Sequence, residues 1–211
     1  LFHIVIALLL PLASYASTRP PTFKLDYAKP AAERWDGALE LATQGKSWDE
    51  SWGKIFAFHN TSLFDYVPSS MYAEMGDALE KYFPVYAEEL RSISAQFSQV
   101  FPGEVVSYEY LAAWVYFHEL AHTDLADDAS SPTVADEESK SCSAILAADS
   151  SGYVLHTANM DQSPPQIRDV TLHVEFVEGS EFLFQGVDWY WFTTGTSRMV
   201  QPGVVSFQEN W

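Results

Sequence analysis

The sequence predicts an α+β fold, a helical front half followed by an antiparallel back half. Three observations carry this. Apolar residues recur every three or four positions through most of the stretch before residue 121, and every second position after Cys142. Between the two regimes, Asp124 to Lys140 shows no apolar periodicity and carries Asp127-Asp128, Ser130-Ser131-Pro132 and Asp136-Glu137-Glu138. It reads as an exposed acidic linker, a place where a chain can be cut without damage to a core.

In the front half, Pro30 starts a helical segment over Ala31 to Gln44, with Trp35, Ala38, Leu39 and Ala42 on one face and Gly45 as its stop. Tyr72, Met75, Leu79, Phe83, Tyr86, Leu90, Ile93 and Phe97 mark an amphipathic helix over Met71 to Gln99, interrupted or kinked near Pro84. Tyr108 to Leu120 is a third, strongly aromatic helix. In the back half, Ser143 to Ala148 and Tyr153 to His156 read as paired strands around the turn Asp149-Ser150-Ser151-Gly152. Val170, Leu172, Val174 and Phe176 alternate with polar residues as a half-buried strand. Glu178-Gly179-Ser180 then turns into Phe182-Leu183-Phe184, and Val204 to Phe207 offers one more strand.

Composition bounds the function classes. The 211 residues are 47% hydrophobic and 15% aromatic, which is globular, and the formal charge of −18 leaves no basic surface for a nucleic acid. Ile4 to Leu12 is an apolar run followed by Ser14-Tyr15-Ala16, the pattern of a secretory signal cut after Ala16 and too short to span a bilayer. The run starts at Leu1 without Met or a basic region, as if part of the leader were missing. Asn60-Thr61-Ser62 is a glycosylation sequon consistent with that route. The expected location is the secretory pathway, with a lysosomal or extracellular destination.

Cys142 is the single cysteine. A lone cysteine is open to three readings: an inert buried residue, an intermolecular partner or a reactive thiol. Its position directly after the linker gives the third a specific form. If the Ser141–Cys142 bond breaks, the cysteine gains a free α-amine of pKa about 8 beside its own sulfur, so nucleophile and base stand on one residue. The same thiol can make the cut by attacking the preceding carbonyl. A second candidate is His118-Glu119-Leu120-Ala121-His122, which has zinc-peptidase spacing but no evident third ligand downstream.

Cys142-Ser143-Ala144-Ile145-Leu146-Ala147-Ala148-Asp149, then Gly152 to His156 and Asn159-Met160-Asp161, resembles the start of the β-subunit of acid ceramidase and of N-acylethanolamine-hydrolysing acid amidase. Arg19 to Asp26, with Pro30-Ala31-Ala32-Glu33-Arg34-Trp35, is similar to the opening of the same family, and Glu109 to Leu120 resembles the helix before its cut. Gly195 to Asn210 follows its later strands loosely.

The resemblance implies the αββα sandwich of N-terminal-nucleophile hydrolases, incomplete at the C-terminus. Residues 1–16 would be the partial signal, 17–123 a helical α-subunit region, 124–141 the linker and 142–211 the start of the β-subunit. It implies hydrolysis of the amide of an N-acylated lipid through a thioester on Cys142, with no cofactor or metal. Asp161 would hold the new α-amine, and Asn210 falls near a family asparagine. The partners implied are a lipid amide, a membrane surface, and α and β subunits associated without a disulfide. The aromatic helices would line an acyl channel or serve as ordinary core. His156 matches a family histidine but reads as structural.

The chain also departs from the family. Ala158 stands where the family has an arginine, and Trp211 where it has a glutamate, with Glu209 nearby. The linker is longer, and family β-subunits run on past the position of Trp211. A relative that keeps the fold and binds lipid without catalysis is therefore a third candidate.

Overall fold

The computed structural model describes residues 19–116, 120, 143–152, 154–159, 164–190, 199–201 and 205–207. They form a mixed α+β structure in which five helices pack with a five-stranded sheet, and a two-stranded hairpin stands as a second sheet.

The helices are α1 (Ala38–Thr43), α2 (Trp52–Ser62), α3 (Ser69–Tyr82), α4 (Pro84–Val100) and α5 (Tyr108–Val115). The segment expected as one helix from Ala31 is broken. A short 3-10 turn at Ala31–Glu33 is separated from α1 by Gly37, whose φ of 78° lies in the left-handed region that glycine enters at little cost. The break at Pro84 is complete, and proline occupies the first turn of α4, where its missing N–H costs nothing. Ser107 caps α5 by accepting from the Tyr110 N–H at 3.2 Å. Helix α2 was not read in the sequence, although Ser47 and Glu50 form a capping box just before it.

The sheet runs β1-β4-β5-β6-β7, with β1 (Thr22–Asp26), β4 (Thr171–Glu178), β5 (Glu181–Trp189), β6 (Met199–Gln201) and β7 (Val205–Phe207). The β4–β5 hairpin and the alternation of β4 match the sequence reading. Leu172, Val174 and Phe176 are buried, while Thr171, His173 and Glu175 are half-exposed. A bulge between Phe176 and Val177 turns both side chains inward.

Strand β1 is also unanticipated. It pairs parallel with β4, Leu25 opposite Phe176, so a strand before the acidic linker joins one from after it. The core is continuous across that pairing. Leu25, Trp35, Leu90 and Phe97 from the front share one buried cluster with Ile167, Leu172, Val174 and Tyr190 from the back. A 3-10 segment, Pro165–Val170, tucks Ile167 and Val170 into that core beside α1 and α2. Lys46 reaches Asp169 at 3.0 Å across the junction.

Candidate functional site around the Ser141–Cys142 junction

Ser141, Cys142, Asp161, Glu209, Asn210 and Trp211 lie outside the described residues, as do His118, Glu119, His122 and the leader at 1–16. The described chain begins again at Ser143, the residue after the candidate nucleophile. There β2 (Ser143–Ala148) pairs antiparallel with β3 (Val154–Asn159). The turn is the expected one. Asp149 Oδ1 accepts from the Ser151 N–H at 2.8 Å and from its hydroxyl at 2.6 Å, and Gly152 takes a φ of 86°.

Register fixes what the hairpin brings together. Ser143 faces Asn159, Ala144 faces Ala158 and Leu146 faces His156. Ser143 and Asn159 thus sit side by side at one end of the ladder. Ala158 stands opposite Ala144, the second residue after Cys142. Alternation puts Leu146 and Val154 on one face of the hairpin and Ile145 and Leu155 on the other. Both faces are open, with Ile145 66% and Leu146 72% exposed. A hairpin apolar on two sides is the pattern of a strand pair meant to lie between layers, because each face left in water forfeits its burial energy. His156, on β3, is half-buried.

On the front side, the motifs that resemble the family's opening are joints. Arg34 donates from Nη1 to Glu89 Oε1 at 2.7 Å, from Nε to the Lys29 carbonyl at 3.2 Å and from Nη2 to the Tyr27 carbonyl at 3.3 Å, and stacks over the Tyr27 ring. Trp35 Nε1 donates to the other Glu89 oxygen at 3.0 Å. Glu89 is buried, and its two oxygens hold the arginine and the indole of one motif. Asp26 closes the end of β1, its Oδ1 accepting from the Gly179 N–H at 2.8 Å and the Ala28 N–H at 2.9 Å. These bonds, Gly179 first, hold its carboxyl below the ordinary carboxylate value. Glu89 is absent from the sequence expectations, but its signal is there. It sits three residues after Tyr86 and four before Ile93, on the inward stripe of α4, where an acid needs a partner.

Aromatic side chains of α2, α4 and α5 pack in the core. Trp48, Trp52, Phe56, Phe97 and Tyr110 contact one another ring to ring, with centroids 5.3 to 6.3 Å apart. The hollow between α3, α4 and α5, about 270 Å³, is polar instead, lined by Asp77, Glu80, Arg91, Ser94, Tyr108 and Glu109. The sequon asparagine lies in the last turn of α2. Asn60 is half-buried, and its Oδ1 accepts from the Tyr110 hydroxyl at 2.7 Å. Its neighbour His59 is buried edge-on to Trp114 at 4.6 Å, and burial pushes its imidazole down to a pKa of about 4.

Among the described residues, no group of three His, Cys, Asp or Glu side chains could hold a metal ion, and no helix is long and apolar enough to cross a membrane. Compared with models of known families and with curated proteins, the chain matches none.

Proposed function

We propose that the chain is an amide hydrolase of the N-terminal-nucleophile class with the αββα fold, acting on N-acylated lipids through Cys142 after self-cleavage at Ser141–Cys142. The Cys142 thiol attacks the acyl carbonyl, its proton passing to the cysteine's own α-amine. The C–N bond breaks and the amine leaves carrying that proton. Water then attacks the thioester, releasing the fatty acid and restoring the thiol. Asp161 fixes the α-amine, and Asn210 stands with it in the site. No metal or cofactor enters these steps.

The observation that carries the reading is the hairpin. Strand β2 begins at Ser143, one residue after the cysteine, and is paired there with Asn159 of β3, two residues before Asp161 in the sequence, the two positions that the motif resemblance pairs. The β1–β4 ladder adds support, because a break at Ser141–Cys142 leaves both products in one sheet and one core. The secretory signal and the Asn60 sequon fit a lysosomal or extracellular enzyme.

Intact-mass spectrometry of the purified chain, paired with hydrolysis assays on a ceramide and an N-acylethanolamine, tests the reading. Two species, the second beginning at Cys142, and release of fatty acid are expected, and Cys142→Ala abolishes both. A chain that stays whole and inert overturns it.

Ala158 favours a second reading, a non-catalytic relative that binds such lipids. Without a guanidinium opposite position 144, the developing oxyanion lacks one fixed positive charge. Under that reading wild type binds N-acyl lipid without turnover, and Ala158→Arg restores a measurable rate.

A further inference from the structure

The corner between α3 and α4 is an apolar corner of the helical half. Tyr82, Phe83 and Val85 are 64%, 61% and 53% exposed, and they flank Pro84 at the tip. Residues 82–87 carry no charge, in a chain whose formal charge is −18. The tip is held firmly. The Phe83 N–H donates to the Leu79 carbonyl at 2.7 Å and the Phe83 carbonyl accepts from Ala87 at 2.9 Å, so both helices fix its backbone. Below it the Arg91–Glu80 pair at 2.6 Å ties α4 to α3, and Glu88 is the exposed acid that follows the stretch on α4. Lys81 lies over the Tyr82 ring at 4.8 Å and is the cation at the tip.

We propose that this corner is a membrane-contact element that seats Tyr82, Phe83 and Val85 in the interface of a neutral phospholipid surface. Aromatic rings on a tip whose one charge is the Lys81 cation match the headgroup layer, which accepts rings that are apolar in body and polar at the edge. Because the helices already fix the backbone at Phe83, little backbone entropy is lost on insertion. Charge selects the surface. Lys81 reaches toward lipid phosphate, while the acidic body is repelled by an anionic bilayer, leaving a zwitterionic one as the fitting partner. The proposal rests on the exposure and charge of the corner and does not require Cys142 to be catalytic.

Flotation of the full chain with phosphatidylcholine vesicles tests it. Wild type rises with the vesicles. Tyr82→Ser/Phe83→Ser partitions about tenfold less or worse, since it loses most of the apolar area at the tip. Lys81→Glu is weakened by a smaller factor, and is the second variant should the double substitution fold poorly. Vesicles rich in phosphatidylserine bind less than neutral ones. The proposal is overturned if wild type stays in the soluble fraction, or if both variants float as wild type does. It is equally overturned if anionic vesicles bind more tightly, or if wild type forms dimers that the double variant disperses while neither floats.

Discussion

The phenolic hydroxyl of Tyr190 donates a buried 2.9 Å hydrogen bond to Gln96 Oε1, joining the end of β5 to the middle of α4 across 94 residues. The ring is fully buried, edge-on to Trp35 at 5.7 Å and beside Trp52 and Phe97. Tyr190 holds a left-handed φ of 49°, a conformation that costs a non-glycine residue on the order of 1 kcal/mol. The packing of one large ring outweighs that cost. Tyr190→Phe keeps the ring and orphans Gln96 Oε1, for a loss of about 1 kcal/mol. Tyr190→Ala opens a cavity between sheet and helices, for about 3–5 kcal/mol. Urea denaturation of the two variants checks the order and the gap.

Two arginine–carboxylate pairs of nearly equal length differ in worth. Arg34–Glu89 at 2.7 Å has side chains 15% and 9% exposed, and Arg91–Glu80 at 2.6 Å has them 45% and 55% exposed. Water screens the second, so Arg91→Ala costs less than about 1 kcal/mol. Arg34→Ala takes the charge partner from the buried Glu89 carboxylate, and costs about 3 kcal/mol or more. Equal losses in thermal or chemical melts would mean that Glu89 is better solvated than its burial indicates.

These joints also show what the sequence could and could not convey. The hairpin β2–β3 was legible because alternation and the Asp149–Gly152 turn are local, and Pro84 announces its own helix break. Gly37 splits the first helical segment by the same local chemistry, yet the apolar spacing from Trp35 to Ala42 ran across it and concealed the break. Strand β1 was hidden because its alternation, Phe23 and Leu25 set between Thr22, Lys24 and Asp26, spans only 5 residues and its partner β4 lies at the far end of the chain. Arg34 read as a motif residue, but its meaning depends on Glu89, 55 residues along, and no local pattern supplies that distance. For the site, the residue types at 142, 158 and 161 were legible, while register alone added that 158 stands opposite 144.

His59 ties stability to pH. Its ordinary pKa of 6.5 falls to about 4 in the folded chain because burial penalises the imidazolium. Between those values the unfolded chain binds a proton that the folded chain refuses. Stability is therefore untouched by this group above pH 6.5 and falls as pH drops toward 4, by about 3 kcal/mol in all. His59→Gln removes that part of the slope. Melting temperatures of both proteins at pH 7, 5.5 and 4 should converge as pH falls, and parallel curves would show that the slope arises elsewhere.

The β1–β4 ladder makes a prediction that needs no chemistry at Cys142. Five consecutive residue pairs, Thr22 with His173 through Asp26 with Val177, cross the acidic linker, and Leu25 from the front is buried against the back-half strand. A protease site placed between residues 124 and 140 of a Cys142→Ala chain should be cut to yield two fragments that co-elute in native buffer and separate only in denaturant. Leu25→Asp places an unpaired carboxylate in the shared core and removes the apolar contact with β4, at a cost of several kcal/mol. The nicked variant should come apart where the nicked parent does not. Separation of the parent fragments in native buffer would mean that the linker, and not the sheet, holds the halves together.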